Sequence, residues 1–279
     1  MNKSDLIIQI GTGSIIQHGK QNNRIYLMKL NIMDTDRILN EITKLAAKYN
    51  YSKLFCKIPA QVAPLFFARG YILEGYVPAF YNGKEDAFFI SNFLDRERQL
   101  KTSDSKLKEF YNLLQKEKKR NDYSPNDNYT IRKLERNDIP MMAKIYRETF
   151  ESYPFPIQDP RYIAETMINH VQYFGAFKEG ELAAIASSEI DFNGKNAEMT
   201  DFATRKTHTG QHLSCLLLET MEHEMKKQGI VTLYTIARLN SIPMNKTFIR
   251  FDFNYSGTLI NNTNIAGKIE SMNLYYKHI

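Results

Sequence analysis

"TDFATRKTHTGQHLSCLLLETMEHEMKKQG", residues 200–229, passes from a β-like stretch through a single glycine, Gly210, into an amphipathic helix. A helix that opens at a glycine turn presents backbone N–H groups without intrahelical acceptors, at the positive end of the helix dipole. Such a junction can hold a phosphate-bearing cofactor, or it can be a plain connection. The chain has only 13 glycines, so one placed between His208 and His212 asks for a reason. Beyond the turn, Leu216, Leu217, Met221 and Met225 share a buried face, and Gly229 ends the helix.

Working outward, residues 129–279 read as strands and helices in alternation. "YTIRKL" is a strand, Asp138 opens a helix through Phe150, and "DPRYIAETMINH" (159–170) opens another with Pro160 in its first turn. A hairpin follows, turning at Glu179-Gly180, and then the strand "AEMTDFAT" (197–204) that leads into the glycine turn. After the long helix come the strand "VTLYTIA" (231–237), a short helix "SIPMNKTFIRF" (241–251) capped by Ser241, and two closing strands. Residues 1–94 show a similar order. It runs from the strand "RIYLMKL" (24–30) to a helix over 34–50 with Asp34 as N-cap and Ile38, Ile42, Leu45 and Ala46 on one face. The strand "KLFCKI", a short helix ending at Gly70, and a hairpin turning at Asn82-Gly83 complete it. The shared order of strand, helix, strand, short helix and two strands points to an internal duplication of half a domain. Residues 95–128 are charged and then rich in Asn, Asp, Ser and Pro, which predicts a linking helix around 105–119 and a loop at 121–128. The run "QKEKKR" has no interleaved aromatics and reads as a solvated helix face rather than a nucleic-acid patch.

Composition narrows the field. With 279 residues and 43% apolar content the chain suits one large or two small globular domains. No apolar run reaches the ~18 residues of a membrane span, and the N-terminus is too polar for a secretory signal. Two cysteines, Cys56 and Cys215, build no disulfide framework and point to a reducing cytoplasm. A net charge of +6 suits an anionic ligand only weakly. The fold class expected is α/β, an α+β arrangement on a mixed sheet, divided into residues 1–94, a connector 95–128, and 129–279.

A hairpin, a strand, a glycine turn into a helix, a strand and a short helix containing Asn resembles the GNAT acetyltransferases. Their turn motif, Gln/Arg-Gly-x-Gly-x-Gly/Ala, aligns with Thr209, Gly210, Gln211, His212, Leu213 and Ser214, of which Gly210 matches in type and Ser214 in size. The longer stretches "GSIIQHGKQNNRIYLMKL", "FYNGKEDAFFISNF", "EMTDFAT", "YTIARLNSIPMNKTF" and "NNTNIAGKIESMNLYYK" resemble the beta-lysine N-acetyltransferases from about Gly13 to Lys277. The resemblance implies a cytoplasmic enzyme that moves acetyl from acetyl-CoA, without a metal, to the side-chain amine of beta-lysine. Its product, N-epsilon-acetyl-beta-lysine, is an osmolyte. Other acceptors (a polyamine, an aminoglycoside or a protein lysine) and a non-catalytic acyl-CoA sensor are the competing readings. A homodimer stays open, and neither nucleic acid nor membrane is implied as a partner.

Acyl transfer to an alkyl amine needs a base, because the free amine has a pKa of ~10.4. The resemblance assigns the turn amides of Thr209, Gly210, Gln211, His212, Leu213 and Ser214 to the pyrophosphate. It assigns the strand backbone of Phe202, Ala203 and Thr204 to the pantetheine arm, and Asn245 to the same cofactor. Phe202 and Thr204 should face one side and Ala203 the other. Glu198 and Asp201 are the candidate bases, and alternation sets them on opposite faces unless a bulge intervenes. Glu270 is a third anion for the substrate ammonium, and Arg238 a clamp for its carboxylate. The position where many relatives carry a tyrosine acid is Phe248, which has no proton to give; Tyr234, Tyr275 and Tyr276 are phenols within the same topology. Cys215 reads as a packed thiol rather than a nucleophile. The N-terminal half lacks a glycine-rich turn, so packing or dimerisation is its expected work.

Overall fold

The structure is a computed structural model that describes residues 5–100, 104–116 and 128–279. The loop expected at 121–128 and the end of the linking helix therefore lie almost wholly outside the described residues. The first half comprises β1 (Leu6–Ile10), β2 (Ser14–Gly19), β3 (Arg24–Lys29), α1 (Thr35–Tyr49), β4 (Lys53–Pro59), α2 (Ala63–Phe67), β5 (Ile72–Tyr81) and β6 (Glu85–Phe93). Two connecting helices follow, α3 (Arg96–Leu100) and α4 (Asp104–Lys116). The second half comprises β7 (Thr130–Lys133), α5 (Ile139–Thr149), α6 (Pro160–Asn169), β8 (Val171–Lys178), β9 (Glu181–Asp191), β10 (Asn196–Thr204), α7 (Leu213–Lys227), β11 (Thr232–Arg238), α8 (Ile242–Arg250), β12 (Asn254–Ile265) and β13 (Lys268–His278).

The strands form one mixed 13-stranded sheet in the order β1-β2-β3-β4-β6-β5-β12-β13-β11-β10-β9-β8-β7. In the first half β2 runs antiparallel to β3, β3 parallel to β4, β4 antiparallel to β6, and β6 antiparallel to β5. In the second half β9, β10, β11, β13 and β12 repeat that sequence of pairings, direction for direction. The halves meet antiparallel at the register pair Gly75–Gly257. The joint is close because a Cβ on Gly257 would sit 2.0 Å from the Glu74 carbonyl oxygen.

Each half has its own apolar core. Ile38, Leu39, Ile42 and Ala46 of α1 pack on Leu27, Leu54, Cys56 and Ile58, alternate residues of the strands beneath. In the second half α7 covers one sheet face through Leu216, Leu217, Met221 and Met225, while α5 and α6 cover the other. The connecting helix α4 buries Phe110 in the α7 core against Tyr255 and Tyr275, while Gln115 and Lys116 are exposed. A further cluster holds the halves face to face: Tyr26, Phe55, Phe80 and Phe89 against Tyr234, Leu259, Met272 and Leu274.

One hairpin is added to the expected elements and two local expectations are corrected. The β1–β2 hairpin has apolar residues broken by Gln and Gly, which hides its period. Asp34 stands before α1 but does not cap it; its carboxylate accepts from the Thr12 and Ser14 amides and hydroxyls instead. Ser241 makes no side-chain cap to α8, and its carbonyl is bonded by Asn245 Nδ2 at 2.8 Å.

Candidate active site

β10 and β11 pair in parallel only over Asn196–Glu198 and Thr232–Tyr234, and then diverge. The divergence leaves a wedge between two strands of one sheet, floored on one side by α7 and α8. On its β9 side β10 carries a bulge, where the register shifts between Thr200 and Ala203 and Asp201 adopts a left-handed φ of 56°. The bulge brings Glu198 and Asp201 to the same face, where strict alternation would separate them. Asp201 accepts from Tyr153 Oη at 2.6 Å and Ser187 Oγ at 2.6 Å. Burial raises its pKa, and these hydroxyls oppose the rise.

Glu198 stands directly across from Glu189 in the β9 register. Two carboxylates facing each other across strands repel, and one of them responds by holding its proton. Burial and the Glu189 charge push Glu198 up to about 8, against the opposing influence of Lys57 and Tyr234. Burial also works on Glu189, but His170, whose Nε2 lies 3.7 Å away, and the charge of Lys57 bring it below its usual value. The pair thus has divergent environments, the pattern of an acid–base site. Tyr234 stands opposite Glu198 in the β10–β11 register, and its hydroxyl accepts from Lys57 Nζ of the other half at 2.8 Å. Burial lowers the Lys57 amine, opposed by Glu198, Glu189 and Asp191.

The remaining expected residues separate into two groups. Gly210 has φ +79° and a Cβ built there would meet nothing within 4 Å, so the turn is open on that side. His212 is the N-cap of α7, in the left-handed region at φ 55°, with an exposed side chain. It keeps the backbone shape a glycine would take, and the Leu213 and Ser214 amides follow as first-turn donors. Thr209 bonds back to the Lys206 carbonyl, Gln211 is exposed, and Leu213 is buried in the core. His208 is engaged with Tyr129 Oη at 2.9 Å. Phe202 lies edge-on to Phe248 on the α7 side, whereas Ala203 packs under α5, so the strand faces are as alternation predicts; Thr204 pairs with Ala184 of β9. The backbone of this segment and the open turn have the geometry to take an extended cofactor arm and its phosphates.

Other residues do different work. Asn245 is fully buried: Nδ2 donates to the Arg238 and Ser241 carbonyls, while Oδ1 accepts from Asn273 Nδ2 and Tyr275 Oη. Its donors and lone pairs are filled by protein, and these bonds organise α8. Arg238 and Glu270, expected to hold opposite ends of a substrate, instead hold each other through bonds of 2.9 and 2.7 Å. Tyr275 is locked onto Asn245 and stacked against Phe248. Cys215 is buried, which raises its thiol pKa. Sequence reading missed Glu189, Tyr153, Ser187 and Lys57. The alternation of "SSEID" on β9 could have flagged Glu189; nothing local could have flagged Lys57. The N-terminal half also places Lys57 Nζ against Tyr234 of β11.

Comparison with known proteins agrees with this geometry. The acetyltransferase (GNAT) family model matches residues 139–253. The chain is 36% identical to a beta-lysine N(6)-acetyltransferase of Methanococcus maripaludis over 97% of its own length and 98% of the relative's. It is 29% identical to N-acetyltransferase YodP of Bacillus subtilis, covering 96% and 97% of the two chains. It is 28% identical to a beta-lysine N(6)-acetyltransferase of Methanosarcina mazei, covering 86% and 96%. A mixed sheet that diverges at a bulged strand, an open glycine turn into a helix, and near-full-length likeness to these enzymes make the chain a member of the beta-lysine N(6)-acetyltransferase family of GNAT acetyltransferases.

Proposed function

We propose that this enzyme transfers acetyl from acetyl-CoA to the 6-amino group of beta-lysine, giving N-epsilon-acetyl-beta-lysine. The observation that carries the reading is the carboxylate cluster beside the β10–β11 wedge: Glu198 faces Glu189 across the strands, the bulge turns Asp201 to the same face, and Lys57 of the other half lies near the two glutamates. The names of two relatives supply the acceptor. Acetyl-CoA supplies the activated thioester carbonyl. The turn at Thr209–Ser214 would hold its phosphates, and the backbone of Phe202, Ala203 and Thr204 its amide-bearing arm. Glu198 takes the proton from the incoming ammonium, which it does best when its own pKa lies near the working pH. Asp201, fixed by Tyr153 and Ser187, holds that ammonium in place beforehand. The product has one positive charge fewer than its precursor and no net charge, which suits a solute that accumulates. The functional division is into residues 1–94, a connector 95–128 and the cofactor-binding unit 129–279.

A cluster of carboxylates also suits a polyamine, so the acceptor test must include one. Thiol release from acetyl-CoA is to be measured with beta-lysine, α-lysine, spermidine and 1,4-diaminopentane, and the acetylated nitrogen located by mass spectrometry. The highest kcat/KM is expected for beta-lysine with acetyl on N6. A higher kcat/KM for either amine without a carboxylate would reject the assignment.

A further inference from the structure

The acceptor's far end is a zwitterion, with a carboxylate two carbons from an ammonium group, and a selective site must answer both charges. Arg238 is paired with Glu270 through two of its nitrogens, so its charge is already answered by a carboxylate of the protein. Another cation, Lys57, lies near Glu198 and Glu189. Lys57 comes from β4, where Lys53, Phe55 and Lys57 alternate toward the second half while Leu54, Cys56 and Ile58 face α1. Its Nζ donates to Tyr234 Oη at 2.8 Å and lies 5.0 Å above the Tyr234 ring and 5.8 Å from the Phe80 ring. An ammonium has three N–H donors. The phenol takes one, and among the described residues no carboxylate forms an ion pair with Lys57. This contrasts with Lys53, two residues earlier on the same face, whose ammonium is closed by Glu74 at 2.8 Å and the Ile260 carbonyl at 2.7 Å. One lysine is therefore satisfied inside the joint, while the other keeps donors for an incoming anion. Aromatic walls from both halves surround it, which strengthens any charge pairing made there.

We propose that Lys57 binds the acceptor's carboxylate, with Glu189 facing the adjacent ammonium, so that the N-terminal half sets which amine the catalytic half acetylates. The subsite rests on the beta-lysine reading above. It gives the sheet joint a purpose, since neither half alone contains both charges. Tyr234, opposite Glu198 in the register, holds Lys57 through its hydroxyl oxygen.

The test compares beta-lysine with 1,4-diaminopentane, which is the same molecule without its carboxylate. For Lys57→Met, the preference of kcat/KM for beta-lysine over the diamine should fall by about 10- to 100-fold, the worth of one charge-assisted bond, chiefly through KM for beta-lysine. Lys57→Arg should retain most of the preference. Calorimetric binding of CoA, unchanged in both variants, verifies the fold. An equal loss on both amines would show that Lys57 only supports Tyr234 and Glu198, and would overturn the subsite. An unchanged preference in folded Lys57→Met would overturn it as well, leaving the acceptor assignment standing. If the unmodified enzyme does not acetylate beta-lysine, the assignment itself fails and takes the subsite with it.

Discussion

Glu198 and Glu189 sit opposite each other on adjacent strands, and their unequal neighbours decide which one holds a proton. Because Glu198 titrates near 8, its basic form grows as pH rises to that value, so kcat/KM should climb along an acid limb with an apparent pKa about 8. In Glu198→Gln the limb should disappear and turnover fall by about 10²- to 10⁴-fold; an unchanged limb would assign the base to Asp201. The same titration has a stability sign. The folded pKa lies above the usual 4.5, so the folded state keeps a proton that the unfolded state releases across that interval. Stability therefore drains as pH rises from about 4.5 to 8, and Glu198→Gln should flatten the dependence of Tm on pH and raise Tm above about pH 8. Asn245 has the opposite character. Asn245→Ala strands the Asn273 amide and the Tyr275 hydroxyl in the core, a cost of about 2–4 kcal/mol and a Tm loss of roughly 5–10 °C. Glu198 was a candidate through its place in the family pattern and Asp201 through its nearness to the turn. Glu189 was hidden by its distance along the chain, and Asn245 looked like a ligand because residue type does not reveal that its bonds are already filled.

At the scale of elements, β10 and the turn that follows it carry the proposed site. The alternation of "EMTDFAT" correctly separates Phe202 from Ala203, yet it cannot place Asp201, because one extra residue in a bulge reverses the facing of everything before it. The elements of both halves were legible from periodicity, caps and the Asn82-Gly83 and Glu179-Gly180 turns, whereas the β1–β2 hairpin carries no clean period of two. Gly210 was legible as a turn, and the structure adds that its outer side is open. Gly210→Val should leave the core intact, since the side chain meets no protein atom, at a backbone cost of about 1–2 kcal/mol for a left-handed β-branched residue. Its main effect should be on the cofactor: KM for acetyl-CoA should rise at least about tenfold with little change in KM for the amine. Equal acetyl-CoA KM in a folded Gly210→Val protein would remove the turn from the cofactor site.

At the scale of the molecule, two copies of one strand order share a sheet, and only one carries an open turn before its first long helix. In the N-terminal copy the corresponding approach to α1 is filled by the Asp34 carboxylate, which takes the Thr12 and Ser14 amides that an anion would otherwise meet. An anion already built into the turn repels a phosphate, so calorimetry should give one CoA per chain. What the N-terminal copy offers instead depends on the joint. Its integrity rests on Gly257, where backbone meets backbone, with the Glu74 carbonyl oxygen 2.0 Å and the Gly75 Cα 2.9 Å from where a Cβ would lie. Neither neighbour is a side chain that can rotate away, so Gly257→Ala must push β5 from β12. The buried network beside the joint would open with it: Lys53 with Glu74, and Arg24 and Arg98 bonded to the Asn262 carbonyl. A cation removed from such partners is costly, and a loss of about 3–5 kcal/mol is expected. The catalytic unit has a core of its own, so Gly257→Ala should unfold in two thermal steps where the unmodified chain shows one. Below the first step it should still bind CoA through the second half while losing its preference for beta-lysine, because Lys57 no longer reaches Tyr234. A single sharp transition at the unmodified temperature, with acceptor preference retained, would mean that the joint tolerates the extra carbon and that the halves are held together by the aromatic cluster alone.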